Sequence, residues 1–155
     1  MQRVANCILR VNNQILMLKK PRRGWYVVPG GKMEAGENIK DSVIREFREE
    51  TGLEIQAPEL MGSFTFIMKE QDETVQEWMM FTFQTTVCEG KLLELSEEGE
   101  LEWVDVDEVL TKPMAEGDRY IFKHILNSED QLYGTFVYTT DFELIDQDMD
   151  PSRST

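Results

Sequence analysis

Glu46, Glu49 and Glu50 set three carboxylates at i, i+3 and i+4 inside the segment GGKMEAGENIKDSVIREFREETGL, residues 30–53. On a helix these positions share one wedge of surface. Like charges at that spacing cost about a few tenths of a kcal/mol per pair. They also fall toward the end of the run, where the helix dipole disfavours anions. Several local conflicts on one short face tend to mark a functional site. Bound divalent cations would resolve them, because carboxylate oxygens suit Mg²⁺, which keeps positions open for water and phosphate oxygens. Arg45, beside the wedge, has the planar fork that grips a carboxylate bidentately and fixes its rotamer. A solvated acidic face is the ordinary alternative for a charge run on a helix. It loses weight here because the wedge borders the helix's own apolar stripe.

That stripe is Ile39, Val43 and Phe47 at i, i+4 and i+8, with Ile44 beside it, and it predicts a helix over residues 38–51. Gly36 supplies a turn before it and Gly52 a stop after it. Upstream, residues 4–11 and 15–18 flank Asn12-Asn13 and read as a hairpin. A basic loop, residues 19–24, leads into a short strand at 25–28, which Pro29-Gly30-Gly31 breaks. Residues 60–68 and 77–88 read as longer strands with a turn between them. An acidic loop follows at 96–100, then a strand at 101–104, a helical turn at 105–110 and a helix at 116–126. Residues 133–144 alternate as a terminal strand or hairpin. Strands before, between and after two helices predict an α/β fold, a mixed sheet with helices packed on it. Residues 1–145 form one domain in this reading, and 146–155 a frayed tail.

The chain has 155 residues with 30 acidic and 16 basic side chains, a net charge of −14. Such a surface repels a nucleic-acid backbone, so a long RNA or DNA partner is disfavoured, and so is an anionic membrane. A small anionic substrate is admissible where divalent cations stand between it and the protein. The longest aliphatic run, residues 15–18, is far too short to span a bilayer, and no signal peptide is apparent. Cys7 and Cys88 read as reduced thiols of a cytoplasmic protein, not as a disulfide framework. His124 has no evident catalytic neighbourhood.

Gly31, Glu37, Arg45-Glu46, Phe47, Glu49-Glu50 and Gly52-Leu53, at their spacing, resemble the complete Nudix box. The one softness is Phe47, where that family usually has an aliphatic residue. A chance match in so acidic a chain is on the order of one in a million. The whole chain looks like a small MutT-type Nudix hydrolase, similar to small bacillar nucleotide diphosphatases. The resemblance implies an α/β/α sandwich with the mixed sheet between helices. It implies hydrolysis of a phosphoanhydride in a nucleoside diphosphate derivative by in-line attack of water, without a covalent nucleophile. For a triphosphate the family precedent is attack at the β-phosphorus. It implies Mg²⁺, with Mn²⁺ as a substitute, held by Glu46, Glu49, Glu50 and the Gly31 carbonyl, with Glu37 and Arg45 supporting the site.

The family often adds one more glutamate from a loop over the site. Its spacing before Trp103 points here to Glu98, with Glu97 in reserve, and Gly99 is read as a hinge. Arg23 and Lys32 are the candidate phosphate contacts, drawn from the basic loop and the box. For the base, Trp25 is the candidate stacking surface and Asp118 the candidate acceptor from a purine amino or imino group. Asp118 is equally readable as a helix N-cap. Residues 66–72 have neither the proline of ADP-ribose hydrolases nor the tyrosine of diadenosine polyphosphate hydrolases. The reading is therefore a purine nucleoside polyphosphate: (d)GTP, oxidised dGTP or guanosine alarmones. An RNA 5′-pyrophosphohydrolase and a non-catalytic regulatory nucleotide-binding Nudix domain are the alternatives. A monomer and a homodimer are both open.

Overall fold

The computed structural model of the chain describes residues 1–152. Strands β1 (Gln2–Val11) and β2 (Gln14–Lys19) form the expected hairpin. Its turn residues Asn12 and Asn13 both take positive φ, 52° and 65°, which suits the twist of a two-residue hairpin. After the short strands β3 (Tyr26–Val27) and β4 (Gly30–Lys32) comes helix α1 (Ile39–Thr51). Asn38 caps it, its side chain accepting from the Asp41 amide at 2.8 Å. Gly52 ends it at φ 82°, in the left-handed region that glycine enters without cost.

β5 (Leu53–Gln56), β6 (Glu59–Glu70), β7 (Glu73–Thr85), β8 (Val87–Gly90) and β9 (Glu100–Asp105) follow. A 3₁₀ turn (Val106–Thr111) leads to α2 (Glu116–Ile125), β10 (Leu132–Thr139) and β11 (Leu144–Asp150). Among the described residues the main sheet runs β11-β10-β6-β7-β1-β2-β3, with β4 added beside β1 and β9 beside β2. It is mixed: β1 pairs parallel with β7 and β10 parallel with β6, and the other ladders are antiparallel. β5 and β8 form a separate two-stranded ribbon.

Alternation along the strands makes two cores. Ala5, Cys7 and Leu9 of β1 point to α1, where they meet Val43, Phe47 and Phe83. Ile8 points the other way, to Ile121, Phe122 and Ile125 of α2 and to Phe64, Phe66 and Phe136. The sheet is therefore sandwiched between the helices, as the α/β/α reading expects. Among the described residues no helix is long and apolar enough to cross a membrane.

The structure departs from the sequence reading in two places. The strand expected over 77–88 begins at Glu73 and stops at Thr85, and β8 leaves for the ribbon with β5. The tail does not fray from residue 146, because β11 pairs with β10 from Leu144 to Asp150. Its acidic run, Asp146, Asp148 and Asp150, lies on an exposed edge strand, where charge guards against further pairing. The remainder of that expected tail, residues 153–155, lies outside the described residues.

Candidate active site

α1 lies against β4, and the box is built in the gap between them. Arg45 is its hub. Its Nε and Nη2 donate to the two oxygens of Glu37 at 2.7 and 2.9 Å, a bidentate pair. Its Nη1 donates to Glu46 at 3.0 Å and to Glu49 at 3.1 Å, and Nη2 also reaches the Lys32 carbonyl at 3.2 Å. The Arg45 fork, helped by the Glu34 amide at 2.8 Å, holds the Glu37 carboxyl down at about 2. Glu37, and after it Glu46, raise Arg45 above the ordinary guanidinium range.

Glu50 faces a different setting. It is half-buried and accepts from the Gly30 amide at 3.1 Å. Burial pushes its carboxyl up to about 7, against the pull of that amide and of Lys20, and Glu98 and Glu46 add to the rise. Among the described residues no three acidic, cysteine or histidine side chains stand as a ready cation cage. Glu46 and Glu49 are turned to Arg45, and Glu50 to Gly30. The donor chemistry nevertheless fits a hard divalent cation: three carboxylates on one wedge facing a glycine strand. A Cβ at Gly31 would strike the Glu46 carboxyl, so only glycine lets β4 come this close.

Beside the box opens a cleft of about 530 Å³. Its walls include Lys20, Arg22 and Arg23 of the basic loop, Trp25, Trp78 of β7, Glu97 and Glu98, Asp118, and Tyr138 and Phe142. The structure thus brings Arg23, Trp25, Glu98 and Asp118 to one cavity. Lys20 Nζ pairs with Glu98 at 3.1 Å, and the charges of both act on Glu50. That pair marks where the cleft meets the box. Lys32 stands apart on β4: its side chain is exposed and its carbonyl serves Arg45. Arg23 is placed against aromatic rings, 5.1 Å from the Trp25 centroid and 5.0 Å from that of Phe142.

Two local readings need correction. Asp118 is not an N-cap: Ala115 occupies that position and Asp118 sits inside the first turn of α2. Burial pushes its carboxyl up to about 7. Gly99 is not a hinge: at φ 153° it packs so tightly that a Cβ would strike the Lys19 carbonyl.

Tyr138, Phe142 and Met80 were missed. Tyr138 accepts from the Gly117 amide at 2.7 Å, which fixes the start of α2 and with it Asp118. A Cβ on Gly117 would collide with the Tyr138 hydroxyl. Phe142 sits at φ 61° in the β10–β11 turn and meets Trp25 edge-on at 5.6 Å. An aromatic residue in a turn that polar residues usually fill was the available signal.

The NUDIX domain family matches residues 1–125. The chain is 52% identical to the Nudix hydrolase YvcI of Bacillus subtilis, over 99% of this chain and 97% of that protein. It is also 34% identical to the NAD-capped RNA hydrolase NudC of Vibrio parahaemolyticus, over 69% of this chain but 41% of that one. Its fold superposes on the crystal structure of the MutT protein from Bacillus halodurans with a TM-score of 0.96 and 54% identity, covering 99% and 100% of the two chains.

Proposed function

The chain belongs to the Nudix hydrolase family, and from that premise we propose that it hydrolyses a phosphoanhydride of a purine nucleoside polyphosphate. (d)GTP, oxidised dGTP and guanosine alarmones are the substrates in view, giving a nucleoside phosphate with pyrophosphate or phosphate. One observation carries the reading: a single cleft runs from aromatic walls and Asp118 to Lys20 and Glu98, whose charges reach Glu50 of the box.

Glu46, Glu49 and Glu50, with the Gly31 carbonyl, would hold Mg²⁺ or Mn²⁺, which when bound supplies positive charge against that building on the phosphoryl oxygens. Arg45, itself fixed by Glu37, holds Glu46 and Glu49 on their wedge. Lys20, Arg22 and Arg23 line the route a polyphosphate takes from the cleft to the box. Lys32, with its side chain free of the cleft, is a phosphate contact only for a tail that passes over β4. Glu98 takes a proton from the attacking water, with its carboxylate held by Lys20 at 3.1 Å. Trp78 and Trp25 offer faces on which a purine stacks, and Asp118 accepts from its amino or imino edge. A net charge of −14 speaks against the RNA alternative.

The test is product analysis with GTP. Turnover with Mg²⁺, its loss in EDTA, and ¹⁸O from water in the nucleoside phosphate or pyrophosphate are expected. Label found only in orthophosphate places the attack at the terminal phosphorus and overturns the β-phosphorus precedent, and no turnover of any guanine nucleotide removes the reading.

A further inference from the structure

Asn6 and Thr82 face each other across the parallel ladder of β1 and β7. Both lie on the face that α2 covers, among apolar neighbours. Thr82 is 2% exposed. Its Oγ1 and the Asn6 Oδ1 are buried and find no hydrogen-bond partner in the protein. The other end of the Asn6 amide donates to the Met80 sulfur at 3.3 Å, a weak acceptor. Buried polar atoms are seldom left so, and two on one rung of a ladder point to a shared partner.

The space between them fits one. Asn6 and Thr82 line a small cavity of about 10 Å³ together with Asp118 and Met80. That is about the least room that holds one water, and three polar groups meet the number a buried water needs. Asp118 and Met80 also line the large cleft, so these two side chains form the wall shared by the two cavities.

We propose that Asn6 and Thr82 are positioning residues for Asp118: with it they enclose one water that anchors the inner side of its carboxyl, leaving the outer side to meet the purine edge. The hydrogen bonds balance. The water donates to Asn6 Oδ1 and to Asp118, and accepts from the Thr82 hydroxyl. An apolar pair at positions 6 and 82 would fill the space without orphaned atoms, but it would leave nothing to hold Asp118 from behind. The proposal rests on the reading of Asp118 as a base contact.

A high-resolution crystal structure should show one solvent peak within hydrogen-bond distance of all three groups, and a dry cavity overturns the proposal. In kinetics, Thr82→Val keeps the shape and removes the hydroxyl. It should raise KM for GTP by up to about tenfold, the upper end for loss of one neutral hydrogen bond, with kcat near wild type. KM for purine riboside triphosphate, which lacks the amino and oxo groups, should not move. Thr82→Ser should restore the GTP value. Asp118→Ala should raise KM for GTP at least as much, and the double variant should add little to it. If Asp118→Ala raises KM but Thr82→Val does not, the positioning role falls and the base contact stands. If Asp118→Ala itself leaves KM unchanged, the base contact falls and takes the proposal with it.

Discussion

In the box, Glu37 and each carboxylate of the wedge find a partner within about twenty residues of chain: Glu37, Glu46 and Glu49 on Arg45, and Glu50 on Gly30. Around Asp118 the chain supplies walls from the basic loop, β7, the acidic loop, α2 and the β10–β11 turn, distant from one another in sequence. The two halves of the cleft therefore answer to different constraints. Reaction chemistry needs a few charges at fixed spacing, which one helix and one glycine strand can hold. Recognition needs a shaped cavity, which only the assembled sheet provides. Changes in the box should act on kcat, and changes around Asp118 on KM.

The largest effect should come from Glu50→Gln. The amide keeps the shape and the acceptor for the Gly30 amide, but loses the charge. Its kcat should fall by about 10³-fold or more, as when a group that stabilises transition-state charge is removed. Near-normal Mg²⁺-dependent turnover by this variant would erase the distinction between the two regions.

Glu98→Gln comes next, with kcat down by about 10²–10⁴, the range for a positioned acid–base group, and KM little changed. Glu100, on β9 and paired across to Lys19, should tolerate the same change. Equal small losses for both would make the loop an acidic surface only. Arg45→Lys should cost about 10–100-fold in kcat, because an ammonium cannot reproduce the fork that holds Glu37 by two bonds. On the recognition side, Trp78→Ala should raise KM for GTP about tenfold, within the range for loss of one stacked base, and leave kcat near wild type. Trp78 stacks on Phe66 at 5.3 Å, so a loss in kcat instead would mean that the cleft wall also sets the box.

What could be read in advance follows the same division. Asn38, the Val43–Phe47 stripe, Gly52 and the acidic wedge all lie in one window, and short-range periodicity and capping chemistry report on them directly. Trp25 could be named as an aromatic at a strand edge and Asp118 from the resemblance of residues 113–118 to a base-contacting loop of the family, but not that they face one cavity. Tyr138, Phe142 and Met80 acquire their place only when β10 pairs with β6 and β7 with β1. β11 was illegible because an acidic edge strand has little apolar alternation. Gly99 was misread because close approach to Lys19, like flexibility, selects glycine, and composition cannot separate the two.

The smallest expected effect concerns stability, and it turns on Glu50 again. Its carboxyl is raised by burial from 4.5 to about 7. A raised acid favours its neutral form in the folded protein, so ionisation costs stability. That cost is absent below the unfolded value of 4.5, grows as pH rises through the window from 4.5 to 7, and is complete above 7. Glu50→Gln cannot ionise and escapes it. In EDTA at pH 8 the variant should therefore be more stable than wild type, by about 1–2 kcal/mol once water access to this half-buried group is discounted. For a chain of this size that is roughly 2–8 °C in Tm. At pH 4 the two should melt together. Ion pairing supported by Arg45 gives no such gain at Glu37, whose lowered carboxyl stabilises the fold above 4.5 and loses that contribution as pH falls toward about 2. Glu37→Gln should accordingly melt lower than wild type at pH 8. Melting curves of both variants across pH 4 to 8 separate the two cases. A Glu50→Gln protein that is no more stable at pH 8 than at pH 4, relative to wild type, would mean that this carboxylate is already solvated and that the two sides of the wedge do not differ.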